Sequence, residues 1–280
     1  MSSQPIPAKW APYVLSITRI VFGFLLLTHG MEQILRFPQA SKAAMLSVRG
    51  IAELAAFPAG ILIMLGLFTR PVALVTAFVW GASYLDGPFQ KGPWPFMNTG
   101  ETIILTAFFF IFLAAAGGGS WALDRLVKRR RQGAAPAAAL YASEWAPYFL
   151  AILRIAVGLL FWEHGLEKIF GFGGGRMETN YLAIRGFAGV LEFIGGPVIM
   201  LGIFNRFVCF ILSGEMAVAY FRTYAPRGFW QSLPAGATPI LYCYLYLFFF
   251  TSGAPVWSLD SLLSRRKTAR MQARPDFTAA

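Results

Sequence analysis

The chain has 280 residues, 57% of them hydrophobic and only 13% charged, with a formal net charge of +11. Soluble domains carry about 25% charged residues, so half that share, together with several long apolar runs, excludes an ordinary soluble domain. The two cysteines, Cys209 and Cys243, both fall inside apolar runs and form no C-x-x-C, which excludes a four-cysteine metal site and a dithiol relay.

A membrane span needs about 20 predominantly apolar residues, and in lipid its backbone must satisfy itself, so these runs are helices. Strand-like alternation is absent, which argues against an outer-membrane barrel. Lys and Arg sit in loops and tails, and no stacking aromatic-plus-basic module accompanies them, so the charge reflects membrane topology and no nucleic-acid partner is expected.

Met1–Pro12 is polar with one early Lys, and the apolar run after it is too long for the core of a cleaved signal, so it is a retained first span. The pattern predicts helices at 13–34, 46–68, 71–86 and 101–117, with Pro71 suited to a first turn. A basic, then Ala/Pro-rich stretch over 125–144 has no span potential and is the linker. Helices follow at 148–170, 181–203, 207–222 and 238–252, and a basic tail closes the chain at 265–280.

The two halves repeat. Residues 10–35 and 145–170 align without a gap at offset 135, with 14 of 26 positions identical. I63-M-L-G66 recurs as I199-M-L-G202, and Trp121-x-Leu123-Asp124 as Trp257-x-Leu259-Asp260, at offset 136. Such self-similarity marks a tandem duplication. The fold expected is all-α: eight transmembrane helices as two tandem parallel four-helix bundles, units 1–124 and 145–264. Four spans per unit bring both units in from the same side. With N-terminus, linker and C-terminus cytoplasmic, 13 Lys and Arg lie inside and nine outside, the bias expected at an inner membrane.

Ionisable residues within spans are costly and mark functional sites by default. His29 and Glu32 end the first helix on one face. Arg49 and Glu53 sit four apart on the second, and Glu101 opens the fourth. In the second unit Glu163, His164 and Glu167 end the fifth helix. Arg185 and Glu192 are seven apart on the sixth, and the seventh carries Glu215 at mid-span and Arg222 further out.

Structural roles compete with these. N98-T-G-E101 fits a capping pattern. Arg49–Glu53 and Arg185–Glu192 suit structural ion pairs, with Arg222 a third cation of that kind. Arg19 and Arg154 can snorkel to headgroups, and Gly23, Gly30, Gly158 and Gly165 permit close helix approach. His29 and His164 could share a metal or haem, or each could bond within its own bundle. No C-x-x-C-H haem attachment exists, so no metal site is expected. Glu215 aligns with Val79 and Glu101 with Ala237, while Glu53 and Glu192 are displaced by one helical turn. The units have diverged.

The chain resembles the DoxX family of small four-span membrane proteins. The resemblance rests on R154-I…G158…H164-G-x-E-K-I-F170, E192-F-I-G-G-P-V-I-M-L-G-I-F-N-R206, E215-M-A-V-A-Y-F221 and the W-S-L-D260 exit. In the first half it rests on R19-I to E32, L65-G-L-F-T-R-P71 and N98-T-G-E101. That family includes, or is related to, the membrane subunit of a thiosulfate:quinone oxidoreductase. The resemblance therefore implies a quinone-linked redox subunit or accessory. A quinone head needs a donor to its carbonyl and a proton relay beside an apolar groove. His164, Glu215 and Tyr220 form one such set and His29 with Tyr84 another, with Glu32, Glu53, Glu101, Glu167 and Glu192 as further proton carriers. No flavin, Fe–S or dithiol motif is present, so a soluble partner subunit supplies the redox cofactor. Two alternatives stand beside this: a proton-coupled carrier using the same acids, and a scaffold whose basic loops recruit an enzyme.

Overall fold

A computed structural model of the chain describes residues 6–132, 143–230, 233 and 236–264. The expected linker over 133–142, the tail 265–280 and the side chains of Arg129–Arg131 lie outside the described residues. Within the described residues the secondary structure is helical: α1 Ile6–Ile34, α2 Val48–Leu65, α3 Thr69–Asp86, α4 Glu101–Ala116, α5 Leu123–Gln132, α6 Ala146–Phe170, α7 Ile184–Leu201, α8 Asn205–Thr223 and α9 Ala237–Ser252.

Two expected boundaries move. α1 starts at Ile6 instead of 13, because hydropathy marks the hydrocarbon layer while the helix runs on beyond it. The linker is not irregular from its start: α5 occupies Leu123–Gln132, so the division expected at 124/125 falls inside a helix. Its Arg, Lys, Leu and Gln are good helix formers, and Asp124 complements its first turn.

Among the described residues five helices are long and apolar enough to cross a membrane: Ala8–Ile34, Val48–Leu65, Thr69–Lys91, Ala146–Phe170 and Ile184–Leu201. α4 and α9 are apolar but only 16 residues each. They are also the most enclosed, with Phe109, Phe110, Phe112, Tyr246, Phe248 and Phe249 fully buried. Their apolar side chains meet protein rather than lipid.

The packing partners explain this. α1 lies along α2 and α6 along α7, while α3 lies along α4 and α8 along α9. In addition α1 packs on α9, and α4 on α6. The last long helix of each half therefore leans on the first long helix of the other. Equivalent residues meet where α4 touches α9: Thr102 Oγ1 lies 2.8 Å from Thr238 Oγ1, and the Phe112 and Phe248 rings are 5.4 Å apart. Both pairs come from the same level of each helix, so α4 and α9 run parallel. One apolar core crosses both halves, and the two bundles expected from the sequence are not separate bodies.

Close approach of α1 to α2 and of α6 to α7 requires glycine. A Cβ on Gly30 would lie 2.4 Å from the Phe57 backbone nitrogen, and one on Gly165 2.3 Å from that of Phe193. Small residues at helix crossings let backbones touch, which is how membrane helices associate without a hydrophobic driving force between them.

Arg19 and Arg154 do not snorkel. Both are fully buried. Arg19 donates to the carbonyls of Ile63, Met64 (2.7 Å), Gly118 (2.8 Å) and Trp121 (3.3 Å). Arg154 repeats this with Ile199 (2.6 Å), Met200 (2.8 Å) and Trp257 (2.7 Å). The last carbonyls of a helix lack intrahelical partners and carry partial negative charge, and each arginine satisfies those of α2 or α7. At the same end Asp124 accepts the backbone N–H groups of Phe68 and Thr69 (2.8 and 2.7 Å), capping α3. Asp260 does the same for α8 at Phe204 and Asn205 (3.1 and 3.0 Å). The W-x-L-D exit is thus a cap delivered from a distance.

Candidate functional site

The acids gather at the other end of the helices. Glu101 opens α4, but the capping pattern does not form. Gly100 is the cap residue, and Asn98 accepts the Gly100 N–H at 2.9 Å while donating to Tyr84 and Gly92 at 3.1 and 2.8 Å. Asn98 stabilises the loop by itself, which frees Glu101 to turn inward. Its carboxylate takes His164 Nε2 at 2.8 and 2.9 Å and accepts the Tyr242 hydroxyl. Both partners belong to the second half, on α6 and α9. Beside them Glu163 accepts the Phe96 N–H at 3.5 Å, and the Phe96 ring lies 5.7 Å from the His164 ring. A carboxylate holding an imidazole and a phenol is a charge-assisted network, and it ties the two halves together.

The matching place in the first half is simpler. Ala237 stands where an acid would be needed, and His29 instead lies 3.7 Å from Glu32 on its own helix and 5.2 Å from the Trp80 ring. Glu32 also accepts from Gln39 at 3.1 Å. Glu53 binds Arg49 at 2.9 Å and the Ser41 hydroxyl. His29, Arg49, Glu53, Trp80 and Lys91 surround a polar cavity of about 310 Å³. The two histidines do not converge, and no three His, Cys, Asp or Glu side chains among the described residues come together to hold a metal ion.

The expected Arg185–Glu192 pair does not form. Arg185 binds Glu167 at 3.1 Å and Glu178 at 2.8 Å, and Glu192 takes the ammonium of Lys168. The one-turn displacement of Glu192 relative to Glu53 carries its carboxylate away from the arginine and toward α6.

Lys168, Glu192 and Glu215 sit together in a groove of about 790 Å³ between α7 and α8. Its walls are apolar, including Ile184, Phe187, Ile211 and Val218, all exposed on the outer surface; Arg185 and Arg222 also line it. Both carboxylate oxygens of Glu215 are buried and have no hydrogen-bond partner among the described residues. The expected set of His164, Glu215 and Tyr220 is therefore divided. Glu215 lines the groove, His164 belongs to the Glu101 network, and Tyr220 is outside the lining with its ring 5.4 Å from that of Phe221. The corresponding cleft between α2 and α3 is about 320 Å³ and is walled by alanine, proline, valine, Leu62, Thr76 and Trp80.

Sequence reading missed Tyr242 and Lys168. Tyr242 lies inside an apolar run and its partner is 141 residues away. Lys168 falls in the repeated motif, but at a position where the first half has Gln33, and that difference was the available signal.

The DoxX family model matches residues 149–225, which span α6, α7 and α8 and hold His164, Lys168, Glu192 and Glu215. An uncharacterized protein of Haemophilus influenzae is 39% identical over 127 residues, covering 42% of this chain and 92% of its own length. The chain belongs to the DoxX family. An uncharacterized membrane protein of Mycobacterium tuberculosis is 29% identical over 140 residues, covering 44% of this chain and 86% of its own length. No solved structure matches the chain. As a DoxX protein with several apolar helices, it is a membrane protein with lipid as its surroundings.

Proposed function

We propose that this DoxX protein is an inner-membrane subunit or accessory of a quinone-linked redox system, and that it takes a quinone head group into the groove between α7 and α8. The observation that carries this reading is the Glu215 carboxyl, without a hydrogen-bond partner among the described residues, beside the Lys168–Glu192 pair in a groove whose apolar walls include side chains exposed on the outer surface. Ligand sites are mostly apolar cavities of about 300–1,000 Å³ with a few placed polar groups, and this groove has that size and make-up. An apolar tail would run along Ile184, Phe187 and Val218. Lys168 supplies a donor to a carbonyl oxygen, and Glu215 supplies a carboxyl that can give or take a proton there. The residues present therefore fit a quinone. None of them carries electrons, so the redox cofactor belongs to a partner, a soluble enzyme subunit.

In this reading α1–α4 and α6–α9 are eight spans in two duplicated units. The parallel run of α4 and α9 supports units that share one direction. The short central helices are shielded by their neighbours, which supports counting them as spans. The positive-inside bias supports cytoplasmic N-terminus, linker and C-terminus.

The test is titration of the purified protein in nanodiscs with a short-chain benzoquinone, read by calorimetry. Saturable binding is expected, lost on Glu215→Val and on Ala188→Trp, which fills the groove. Undiminished affinity in both variants would remove the groove from consideration.

A further inference from the structure

Among the buried polar atoms of the second half that have no hydrogen-bond partner among the described residues are both carboxylate oxygens of Glu215, Oε2 of Glu192 and the hydroxyl of Tyr246. Tyr246 is fully buried on α9, and its hydroxyl lies within electrostatic range of Glu215, Glu192 and Glu101. The first half has Val79, Ala56 and Phe110 at the equivalent positions, so nothing in the shared backbone plan calls for polar groups there.

An unpartnered polar group in a low-dielectric interior is costly, and orphaned polar atoms in a native interior point to ordered water or a polar ligand. Buried water makes about three hydrogen bonds to such groups. Glu215, Glu192 and Tyr246 offer that many, with acceptors on two sides and a hydroxyl that both donates and accepts. This set also has two ends. Glu215 lines the groove. On the inner side, the Tyr246 ring stacks on Tyr242 at 5.8 Å, and the Tyr242 hydroxyl donates to Glu101, which holds His164.

We propose that ordered water between Glu215, Glu192 and Tyr246 forms an internal proton path from the α7–α8 groove to the Glu101–His164–Tyr242 network. Each hop breaks one O–H bond as it makes the next, so no co-reactant is consumed. Tyr246 passes its proton inward to a further water, which delivers it to the Tyr242 hydroxyl or the Glu101 carboxylate, because ring stacking itself carries no proton. The water requires no ligand in the groove. Only the use of the path for quinone protons rests on the function proposed above.

The test uses the full chain in lipid without added quinone. Infrared difference spectra recorded in H2 16O and H2 18O should show O–H stretching bands of internal water. Those bands should be lost in Tyr246→Phe and Glu215→Val and retained in Tyr84→Phe in the first half. Tyr246→Phe keeps the ring and its stack on Tyr242 and removes only the hydroxyl that the water would bond, so the variant is expected to fold, with at most a small shift in melting temperature. A second readout is a high-resolution structure with water within hydrogen-bond distance of Tyr246 Oη and a carboxylate oxygen. Absence of isotope-sensitive bands, their persistence in Tyr246→Phe, or a dry direct bond from Tyr246 to a carboxylate would overturn the path. Quinone titration of Tyr246→Phe keeps the two readings apart. Retained affinity with lost water bands supports the path, and a parent protein that shows the bands but binds no quinone leaves the path standing while the groove reading falls.

Discussion

The two halves share a backbone and differ in chemistry. Arg19 and Arg154 make the same helix-ending bonds, and Asp124 and Asp260 make the same caps, so one end of the molecule is alike in both halves. At the other end the second half has Glu192, Glu215 and Tyr246 where the first has Ala56, Val79 and Phe110. The cleft follows: polar-floored and about 790 Å³ in one half, apolar-walled and about 320 Å³ in the other. The contacts that end and cap the helices are thus the same in both halves, while the second half alone places these charged groups in an apolar setting, where they are expensive.

The sharpest way to break the comparison is at Lys168. Removing one partner of a buried ion pair costs about 3–5 kcal/mol because the other charge is left unpaired. Lys168→Met should therefore strongly lower thermal stability in detergent, since Glu192 is only 3% exposed. The double change with Glu192→Met should recover most of it. Gln33→Met, at the equivalent first-half position, should cost less than about 1 kcal/mol, the worth of one neutral hydrogen bond. If Lys168→Met were as mild as Gln33→Met, the ion pair would not distinguish the halves.

Next in size is Glu101→Gln, which keeps the shape but removes the charge that His164 and Tyr242 share. Hydrogen bonds to charged groups are worth about 1.5–3 kcal/mol, and a loss in that range is expected in chemical unfolding. His29→Gln should be milder, because its contact with Glu32 is 3.7 Å and lies within one helix. Equal losses would mean that the bond between halves contributes nothing beyond a local contact.

Smallest is Thr102→Val, which breaks the contact with Thr238 where equivalent residues meet. Side-chain hydrogen bonds between membrane helices average about 0.6 kcal/mol. A change of that order, not enhanced by adding Thr238→Val, is expected from a double-mutant cycle. A much larger loss would mark this contact as a principal tie between the halves.

Much of this architecture is legible in the sequence. Apolar length and composition give helices in a membrane, since backbone groups in lipid must be satisfied within each segment. The fixed offset of the repeat gives equivalent positions, and glycine in a span gives close approach. The identities of the acids are legible too, because a charge in an apolar run stands out. Their partners are not. Glu101 fits a local capping pattern, yet it bonds across 63 and 141 residues to His164 and Tyr242. Arg185 and Glu192 share a helix face, yet each turns to a different neighbour. Arg19 looks placed to reach headgroups, yet the end of α2 stands closer.

The sequence by itself determined what kinds of groups lie in the membrane and at what level along each helix. Only the tertiary structure decided which of them meet, because α4 leans on α6 and on α9, and α1 on α9, and those contacts bring Glu101 to His164 and Tyr242. Hydrophobic periodicity records how much of a helix is covered. It does not record by which neighbour, and in a low-dielectric interior a charge is satisfied by whichever donor or acceptor the packing brings within about 3 Å.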